Sequence, residues 1–411
     1  MTPQPKATAP FHIMTKPMGP LCNLDCSYCF YLEKTKLFPK NERFKMNDAL
    51  LETYVRKYIE AQPGRTVTFA WQGGEPTLAG VDFYRKAVAL QKKYGCGKTI
   101  ENAFQTNGTL LTDEFCEFLS GEGFLVGISI DGPKAMHDFY RVDRGGKPTH
   151  KDVVRGINLC RKHKVEFNTL TVVNRHNADH PEAVYRHLRE LGSQFIQFIP
   201  LVERAADPAS QALDLDLAHP PETATDAAAI THPPVTDWSV TPEQLGKFFC
   251  TVFDRWLARD VGKVFVQLFD ATLGKWVGAP GGTCMMAETC GRALAVEHNG
   301  DLYACDHYVY PKYHLGNVGT DDLGKIVDGP RMTAFGNAKR DTLPDYCKAC
   351  KYRFACNGDC PKHRFATTPD GQPGLSYLCQ AYYKFFEHSE KPMRRMTELY
   401  RQRRPVADIM L

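Results

Sequence analysis

The sequence predicts an α/β protein in which successive βα units build a barrel-like parallel sheet, followed by a cysteine-rich region. Three observations support this fold class. Short β-rich runs alternate with longer helical patterns from about residue 11 to 200. Polar and glycine-rich residues fall directly after the predicted strands, as they do at the active-site mouth of a barrel. Eight of the 15 cysteines lie in the last third of the chain. A doubly wound open sheet shows the same alternation, and only the placement of the polar residues favours the barrel.

The hydrophobic periodicity places the individual elements. The predicted strands are 11–14, 67–71, 100–105, 124–130, 166–173 and 194–199. The predicted helices between them are 47–60, 81–94, 113–119, 151–163 and 181–191, the first with an Asn cap. A further helix is predicted at 241–259, with an apolar stripe typical of a core-facing helix, before a short apolar run at 264–269.

Changes in composition divide the chain into six segments. We expect a flexible N-terminus at 1–10, the barrel at 11–202, a loop or linker insert at 203–240, a connecting helix and strand at 241–280, the cysteine-rich domain at 281–390, and a C-terminal helix or tail at 391–411. The insert is rich in Ala, Asp, Pro and Thr and contains Pro220-Pro221 and Pro233-Pro234, which favours a loop.

Charge and hydropathy exclude several classes of partner. The chain has 51 Lys and Arg against 47 Asp and Glu, a formal +4 that is too small to indicate nucleic acid or a membrane surface. No run reaches the length of a membrane span, and the start lacks the apolar core of a secretory signal. We therefore expect a cytoplasmic protein, where reducing conditions oppose disulfides. Four scattered cysteines have no assigned role and are interpreted as small buried hydrophobes: Cys96, Cys116, Cys160 and Cys250.

Cys22, Cys26 and Cys29 form a C-x3-C-x2-C loop directly after the first predicted strand. Thiolates are the usual ligands of iron–sulfur clusters, and a cubane with four irons normally takes four of them. Three cysteines leave one iron open, and an open metal position is where a small molecule binds and reacts. A zinc knuckle that lacks one ligand, or three unrelated buried thiols, are the alternatives.

The C-terminal third carries enough cysteines for two closed four-ligand sites. The run Cys347-x2-Cys350-x5-Cys356-x3-Cys360 is compatible with structural zinc or with an iron–sulfur cluster. The other cysteines of this third are Cys284, Cys290, Cys305 and Cys379.

Several motifs in the same order resemble the anaerobic sulfatase-maturating enzymes, which are radical S-adenosylmethionine enzymes with a SPASM extension. They are the cysteine loop followed by Tyr31, the run around Gly73-Gly74-Glu75-Pro76, and the segments 104–108, 127–133, 304–309 and 347–379. The resemblance covers about residues 11–390 and implies a partial (β/α)6 barrel of radical S-adenosylmethionine type. It also implies that a cysteine or serine of an arylsulfatase is oxidised to Cα-formylglycine.

The same resemblance implies three [4Fe–4S] clusters and S-adenosylmethionine as cofactors. The first cluster would take Cys22, Cys26 and Cys29 and bind the amino and carboxylate groups of S-adenosylmethionine. The two auxiliary clusters would interleave their ligands, one taking Cys284, Cys290, Cys305 and Cys360 and the other Cys347, Cys350, Cys356 and Cys379. The implied contacts to S-adenosylmethionine are Tyr28, Gly73, Gly74, Ser129, Arg141 and Val202.

The resemblance further assigns the catalytic base. By analogy, a 5′-deoxyadenosyl radical removes hydrogen from the target Cβ, Asp306 accepts the thiol or hydroxyl proton, and an auxiliary cluster takes the electron. His307 is a competing base that ranks below Asp306. Gln72 and Gln105 match positions near cofactor and peptide, although either would also suit a strand end. The implied partners are an unfolded or nascent sulfatase polypeptide with a Cys/Ser-x-Pro-x-Arg segment and an electron donor such as flavodoxin or ferredoxin.

Two other functions fit parts of the pattern. A different SPASM peptide maturase, which forms thioether or carbon–carbon crosslinks, would share every cysteine and differ in Asp306 and the peptide groove. A non-enzymatic iron–sulfur or zinc-binding regulatory protein would need neither a vacant iron nor the glycine pair. The insert at 203–240 is long for the family, so we expect it to affect peptide docking.

Overall fold

The computed structural model describes residues 5–221, 235–279 and 282–410. Its strands are β1 His12–Thr15, β2 Thr66–Trp71, β3 Thr99–Thr106, β4 Leu125–Ser129, β5 Glu166–Val173, β6 Phe195–Pro200, β7 Phe265–Val266, β8 Ala293–Val296, β9 Asp301–Tyr303, β10 His314–Asn317, β11 Ala366–Thr367 and β12 Pro373–Leu375. Its α-helices are α1 Asp48–Ala61, α2 Val81–Tyr94, α3 Asp113–Gly121, α4 Lys134–Tyr140, α5 His150–Lys162, α6 Pro181–Glu190, α7 Pro208–Gln211, α8 Pro242–Arg259, α9 Gln267–Val277, α10 Leu323–Val327, α11 Pro330–Asp341, α12 Asp345–Lys348, α13 Arg353–Cys356 and α14 Cys379–Arg401.

One large sheet organises the molecule. Its strand order is β10-β9-β8-β1-β2-β3-β4-β5-β6-β7, and every pair from β8 and β1 through to β7 is parallel. The predicted series of six βα units is therefore confirmed. The sheet stays open, with β7 and β10 at its edges, and β8 to β10 extend it beyond β1. The sequence did not predict this extension, which ends in two antiparallel pairs.

The predicted elements and the observed ones agree closely along the barrel. Asn47 caps α1 by accepting a hydrogen bond from the Leu50 amide, and Thr241 and Gln244 form a capping box at α8. The apolar run at 264–269 divides between two elements, because only Phe265–Val266 is a strand and Gln267 already begins α9.

An aromatic core fixes β2 against the helices that cover it. The fully buried Tyr54 and Tyr84 pack edge-on against Trp71, and the fully buried Tyr58 packs against Phe69, which stacks on Trp71 with ring centroids 5.9 Å apart. Fully burying a side chain such as Phe69 is worth about 1.5–3 kcal/mol. The end of β2, where the glycine pair follows, is thus held on a rigid base.

The cysteine-rich region is continuous with the barrel. Strand β8 pairs with β1 in register from His12 with Ala293 to Thr15 with Val296. Helix α14 packs on α8, where a Cβ on Gly246 would stand 3.3 Å from the Ala381 Cα. The segment boundary expected at 390 falls inside α14.

Two segments expected to be loose pack on the protein where they are described. Residues 203–221 contain α7 and a buried Leu217, and the Asp216 amide donates to Glu33 at 2.7 Å. The rest of the predicted insert up to 234, including Pro233-Pro234, lies outside the described residues. At the N-terminus, the Thr8 amide donates to Asp328 at 2.8 Å, whereas residues 1–4 are not described. Within the described chain, no helix has both the length and the apolar character needed to cross a membrane.

Candidate active site

The loop with Cys22, Cys26 and Cys29 leaves the carboxyl end of β1, and all three side chains are half-buried. The Leu24 amide lies 3.4 Å from the Cys22 sulfur, and the Cys29 amide donates to the Cys26 carbonyl at 2.9 Å. Burial raises the pKa of Cys22 and of Cys26 to about 12. The sulfurs therefore remain thiols in the absence of a cation, and a bound metal is what would make them thiolates.

Among the residues that the structure describes, no three His, Cys, Asp or Glu side chains converge closely enough to hold one metal ion. A structural zinc site needs its ligands to converge on one point, whereas each cysteine of a cubane binds a different iron. The two kinds of site therefore require different spacings of the three sulfurs.

The glycine pair after β2 docks the cysteine loop onto the sheet. The Gly74 amide donates to the Gly19 carbonyl and the Glu75 amide to the Leu21 carbonyl, both at 2.8 Å. A Cβ on Gly74 would stand 2.0 Å from the Leu21 oxygen, and Gly73 has a φ of +133°. The close backbone approach expected of these glycines is thus made by the cysteine loop. Their contact with S-adenosylmethionine stays a prediction.

Glu75 extends this docking from β2 to the end of β3. Its fully buried carboxylate accepts hydrogen bonds from the Thr77 amide and hydroxyl, the Thr106 hydroxyl and the Asn107 amide. Burial raises the pKa of Glu75, while these hydrogen bonds oppose the rise. The Asn107 side chain in turn lies 3.7 Å from the Cys22 sulfur. The sequence alone does not predict this linking role of Glu75.

Tyr28 and Arg141 meet at a buried carboxylate that sequence reasoning missed. The Tyr28 hydroxyl donates to Asp131 at 2.5 Å and the Arg141 guanidinium donates to the same oxygen at 2.9 Å. Asp131 is fully buried, and Arg141 lies close enough to Cys26 to oppose the rise in that thiol's pKa. The only signal in the sequence was the Asp131-Gly132-Pro133 turn at the end of β4. The structure thus brings two of the expected cofactor contacts together beside the loop.

The remaining expected cofactor contacts differ in exposure. Ser129 ends β4 half-buried, and its hydroxyl has no hydrogen bond to the residues described. Val202 is 2% exposed within the hydrophobic core, which leaves its backbone for any contact with adenine. Gln72 and Gln105 are both half-buried at the ends of β2 and β3. None of these contacts is tested by the geometry alone.

Asp306 lies where the cysteine-rich region meets the barrel. It forms an ion pair with Lys16, the residue after β1, and both side chains are buried. The Lys16 ammonium stands 3.6 Å above the centre of the Tyr31 ring, whose hydroxyl donates to Glu297. Burial alone would raise the pKa of Asp306, but Lys16 and His307 hold it below its usual value. The carboxylate is therefore charged and fixed in direction.

His307, the competing base, faces a different neighbour. Its ring centroid is 5.1 Å from that of Phe30, and its Nδ1 has no hydrogen-bond partner among the described residues. Burial and the nearby Lys362 lower the pKa of His307 to about 3. The imidazole is therefore neutral, and since the pKa of Asp306 is also low, basicity does not separate the two groups; Asp306 is distinguished by the ion pair with Lys16 that holds it in place.

The described part of the insert closes one side of this site. Glu203 pairs with Lys362, whose ammonium lies 4.7 Å from the centre of the Phe30 ring. Lys34 is fully buried with its ammonium 3.4 Å above Tyr310, and burial lowers its pKa to about 7. Charged side chains from the loop, the insert and the C-terminal domain thus lie near Asp306.

The eight C-terminal cysteines fall into two neighbourhoods. Burial raises the pKa of Cys305 and the nearby Cys360 and Cys284 raise it further, while Cys290 and Cys284 add to the raised pKa of Cys360. In the other neighbourhood, Cys379 and Cys347 add to the raised pKa of Cys356 beyond the effect of burial. Cys347 and Cys350 do the same for Cys379. These proximities match the interleaved grouping and differ from the order of the cysteines in the chain.

Comparison with known proteins agrees with this geometry. Residues 17–188 match the Radical SAM superfamily, and residues 284–351 match SPASM, an iron–sulfur cluster-binding domain. The chain is 47% identical over 402 residues to a serine-type anaerobic sulfatase-maturating enzyme of Bacteroides thetaiotaomicron, covering 98% of this chain and 94% of the relative. It is 32% identical to a cysteine-type anaerobic sulfatase-maturating enzyme of Clostridium perfringens, covering 92% and 96%.

Solved structures share the architecture. Native anSMEcpe with bound AdoMet and the Cp18Cys peptide superposes with a TM-score of 0.81 at 32% identity, over 95% of this chain and 99% of that one. SuiB of Streptococcus suis, bound to its precursor peptide SuiA, has a TM-score of 0.61 at 13% identity over 91% and 76%, which shows a common fold alone.

Proposed function

The chain belongs to the anaerobic sulfatase-maturating enzymes, and from that membership we propose that it oxidises a serine or cysteine of a sulfatase polypeptide to Cα-formylglycine. It is a radical S-adenosylmethionine enzyme with a SPASM domain, as the sequence motifs predicted. The observation that carries the proposal is the buried ion pair between Asp306 and Lys16, because it brings a fixed carboxylate from the C-terminal domain to the mouth of the barrel.

We assign three [4Fe–4S] clusters to the eleven clustered cysteines. Cys22, Cys26 and Cys29 would hold the first, with S-adenosylmethionine on its open iron. The neighbourhood of Cys305 and Cys360 would hold one auxiliary cluster and that of Cys356 and Cys379 the other. Four thiols suit each closed site and three suit the open one. Fifteen free cysteines also suit a reducing compartment such as the cytoplasm.

The chemistry separates into what the cofactors supply and what the chain does. When bound, the cofactors supply a 5′-deoxyadenosyl radical that removes one hydrogen atom from the target Cβ, and an acceptor for one electron. The chain must take the remaining proton from the target hydroxyl or thiol as the carbon–oxygen or carbon–sulfur double bond forms. A thioaldehyde from cysteine then exchanges sulfur for water oxygen, releasing hydrogen sulfide. Asp306 accepts the proton, since it is ionised and directly follows a cluster ligand.

Lys16 and Tyr31 set the direction of that carboxylate. Lys16 is 1% exposed and follows β1, so its position is fixed by the sheet. A buried charge pair with good geometry restricts each partner more than an exposed one does. The ion pair thereby holds the Asp306 carboxylate in one orientation, with its second oxygen directed toward the substrate.

We expect serine to be a target residue. The 47% identical relative is of the serine type, whereas the cysteine-type relative is 32% identical. The peptide would carry the Cys/Ser-x-Pro-x-Arg segment and enter beside Glu203 and Lys362, unfolded or nascent. A flavodoxin or ferredoxin would reduce the first cluster.

Asp306→Asn tests the proposed base. The expected result is that formylglycine formation falls about 10²–10⁴-fold, the usual contribution of a positioned proton acceptor, while reduced enzyme still releases 5′-deoxyadenosine. Mass spectrometry of serine and cysteine peptides and chromatography of the nucleoside measure the two steps separately. Asp341→Asn, which removes an exposed carboxylate of the same domain, is the matched control and should leave both unchanged.

Each alternative has its own outcome in this assay. A crosslinking maturase would leave a thioether or carbon–carbon link in the peptide and no aldehyde. A regulatory protein would release no 5′-deoxyadenosine at all. Full formylglycine formation by Asp306→Asn would show that another group takes the proton.

A further inference from the structure

Arg364 is a buried cation between the two neighbourhoods of C-terminal cysteines. It is 5% exposed and forms no ion pair with any carboxylate in the part of the chain that the structure describes. Its guanidinium donates to the carbonyls of Gly358 and Asn357, both at 2.7 Å, and to that of Asp359 at 3.3 Å. A fourth hydrogen bond reaches the Lys339 carbonyl at 2.5 Å. Every hydrogen bond that Arg364 donates to a described residue is therefore to a backbone carbonyl.

The three neighbouring acceptors have an unusual backbone. Asn357, Gly358 and Asp359 all have positive φ, at 48°, 74° and 59°. Consecutive left-handed residues are costly unless other contacts hold them, and two of these are not glycine. The five-donor fork of arginine is suited to converging carbonyls in a way that no other side chain matches. Arg364 thus holds this turn in shape.

The turn joins cysteines of different neighbourhoods. Cys356 precedes it and Cys360 follows it, so the shape of the turn fixes how far apart the two groups lie. Burial lowers the pKa of Arg364, and Asp359, Cys347, Cys360 and Cys356 oppose that effect. The guanidinium is therefore within electrostatic reach of cysteines from both groups.

A second buried cation continues the network to the remaining cysteines. Lys339 is 1% exposed and donates to the carbonyls of Cys284 at 2.7 Å and Met285 at 2.8 Å. Oδ2 of the buried Asp359 carboxylate accepts hydrogen bonds from His363 at 2.8 Å and Ser376 at 2.9 Å, while Oδ1 has no hydrogen-bond partner among the described residues; the carboxylate partly offsets these positive charges. Removing Arg364 would leave Asp359 as a less compensated negative charge.

We propose that Arg364 is a positioning residue that holds the turn between the two auxiliary cluster sites and raises the reduction potentials of both clusters. The inference rests on the ligand assignment proposed above. A fixed positive charge favours the reduced, more negative form of a cluster, and hydrogen bonding and net charge are the main influences on cluster potential. The distance between the two auxiliary clusters and their reduction potentials, on which electron transfer from the substrate depends, would therefore both be set by Arg364.

The variants Arg364→Gln and Arg364→Lys separate the effect of the positive charge from the effect of the shape of the side chain. In anaerobically reconstituted Arg364→Gln, we expect the auxiliary potentials, measured by redox titration with electron paramagnetic resonance, to become more negative, or the auxiliary iron to be lost. The first cluster should keep its potential and its spectral response to S-adenosylmethionine. Arg364→Lys should restore the potentials toward wild type, because lysine keeps the charge. Arg340→Gln removes a half-exposed arginine of α11 and is the matched control.

Gly358→Ala provides an independent disturbance with the arginine still present. A Cβ there would lie 2.6 Å from the Arg364 guanidinium and 2.3 Å from Leu343, so the fork must move. The same changes confined to the auxiliary clusters are expected.

The outcomes distinguish this inference from the proposed function. Wild-type protein without auxiliary iron would refute the ligand assignment itself. Wild-type protein with three clusters, combined with unchanged potentials and iron content in Arg364→Gln and Gly358→Ala, would overturn only the role of Arg364. If Arg364→Lys, like Arg364→Gln, loses all three clusters, the arginine serves folding of the whole chain and the proposal is wrong.

Discussion

The two cysteine regions of this chain are held by different means. Cys22, Cys26 and Cys29 lie on one short loop that is attached to the ends of β2 and β3 by backbone hydrogen bonds, a glycine contact and Glu75. The eight C-terminal cysteines lie on turns, on short helices and, for Cys379, at the start of α14, and their segments are held by two buried cations that bind carbonyls. A preformed sheet supports the first site, whereas polar contacts between loops support the second. We infer that the fold of the barrel positions the first site, whereas cluster binding at the second site helps the C-terminal region to fold.

The largest effect should come from removing the first site altogether. The combined variant Cys22→Ala, Cys26→Ala and Cys29→Ala should lose all 5′-deoxyadenosine release and about four of about twelve irons per chain. Cys356→Ala should keep the nucleoside cleavage and lose formylglycine formation. Iron analysis and nucleoside chromatography under dithionite measure both. Residual cleavage by the triple variant would mean that the two regions do not divide the chemistry in this way.

Removal of iron should affect the two regions unequally. Anaerobic chelation should open residues 284–379 to hydrogen exchange, because metal binding there contributes directly to folding. The strands β2 to β5 should stay protected, since their hydrogen bonds and core do not depend on a cluster. Hydrogen–deuterium exchange resolved by peptide makes the comparison. Equal loss of protection in both regions would contradict it.

Gly74→Ala should disturb the first site and spare the second. The new Cβ would stand 2.0 Å from the Leu21 oxygen, so the cysteine loop must leave the end of β2. The expected cost is at the upper end of the about 1–3 kcal/mol typical of overpacking, with loss of the first cluster only. Gly121→Ala is the control, because a Cβ there meets open space. Retention of all three clusters in Gly74→Ala would argue against this docking contact.

Glu75→Gln should have a smaller effect in the same direction. An amide cannot accept all four hydrogen bonds that the carboxylate accepts, so buried donors are left unpaired at about 1–3 kcal/mol. We expect weaker retention of the first cluster during reconstitution at limiting iron. The exposed Glu114→Gln, at a surface ion pair with Arg85, should behave as wild type.

The smallest effect should be on stability at acidic pH, through two histidines on the outside of the barrel. Burial lowers the pKa of His150 and of His187, whose Nε2 atoms face each other at 3.1 Å. Below about pH 6.5 the unfolded chain binds protons that the folded chain excludes, so the free energy of unfolding falls as the pH decreases. Thermal unfolding followed by circular dichroism should show this slope, and His187→Gln should reduce it without changing the cluster spectra. An unchanged slope in His187→Gln would mean that other groups titrate.

Local signals in the sequence were enough to predict the barrel elements. The predicted bounds of α2 and β5 are those observed, because the hydrophobic periodicity there is strong and local. The extension by β8 to β10 could not be predicted in this way, since β8 pairs with a strand far away in the chain. Pairing between two strands that are far apart in the sequence leaves no hydrophobic periodicity in either strand from which the pairing could be predicted.

The same distinction between local and non-local signals applies to the candidate active site. The clustered cysteines could be predicted as ligands from residue type and spacing, whereas the grouping of the C-terminal ones and the role of Asp306 followed only from the resemblance to the family. Lys16, Glu75, Asp131 and Arg364 could not be predicted as anchors, because each acts through a partner that only the fold brings near. The glycine pair shows a further limit, since close approach to a ligand and close approach to the chain itself require the same residue.

The ion pair between Lys16 and Asp306 has a consequence for the order in which the enzyme is made. Lys16 leaves the ribosome early in translation, and its partner follows only after the whole barrel has been synthesised. Strand β1 likewise waits for β8 to cover its free edge. A truncated chain that ends within the barrel would have the three-cysteine loop but neither the proposed base nor the proposed auxiliary clusters. The first half of the chain could therefore start the reaction, but the enzyme can finish it only after the C-terminal part has been made.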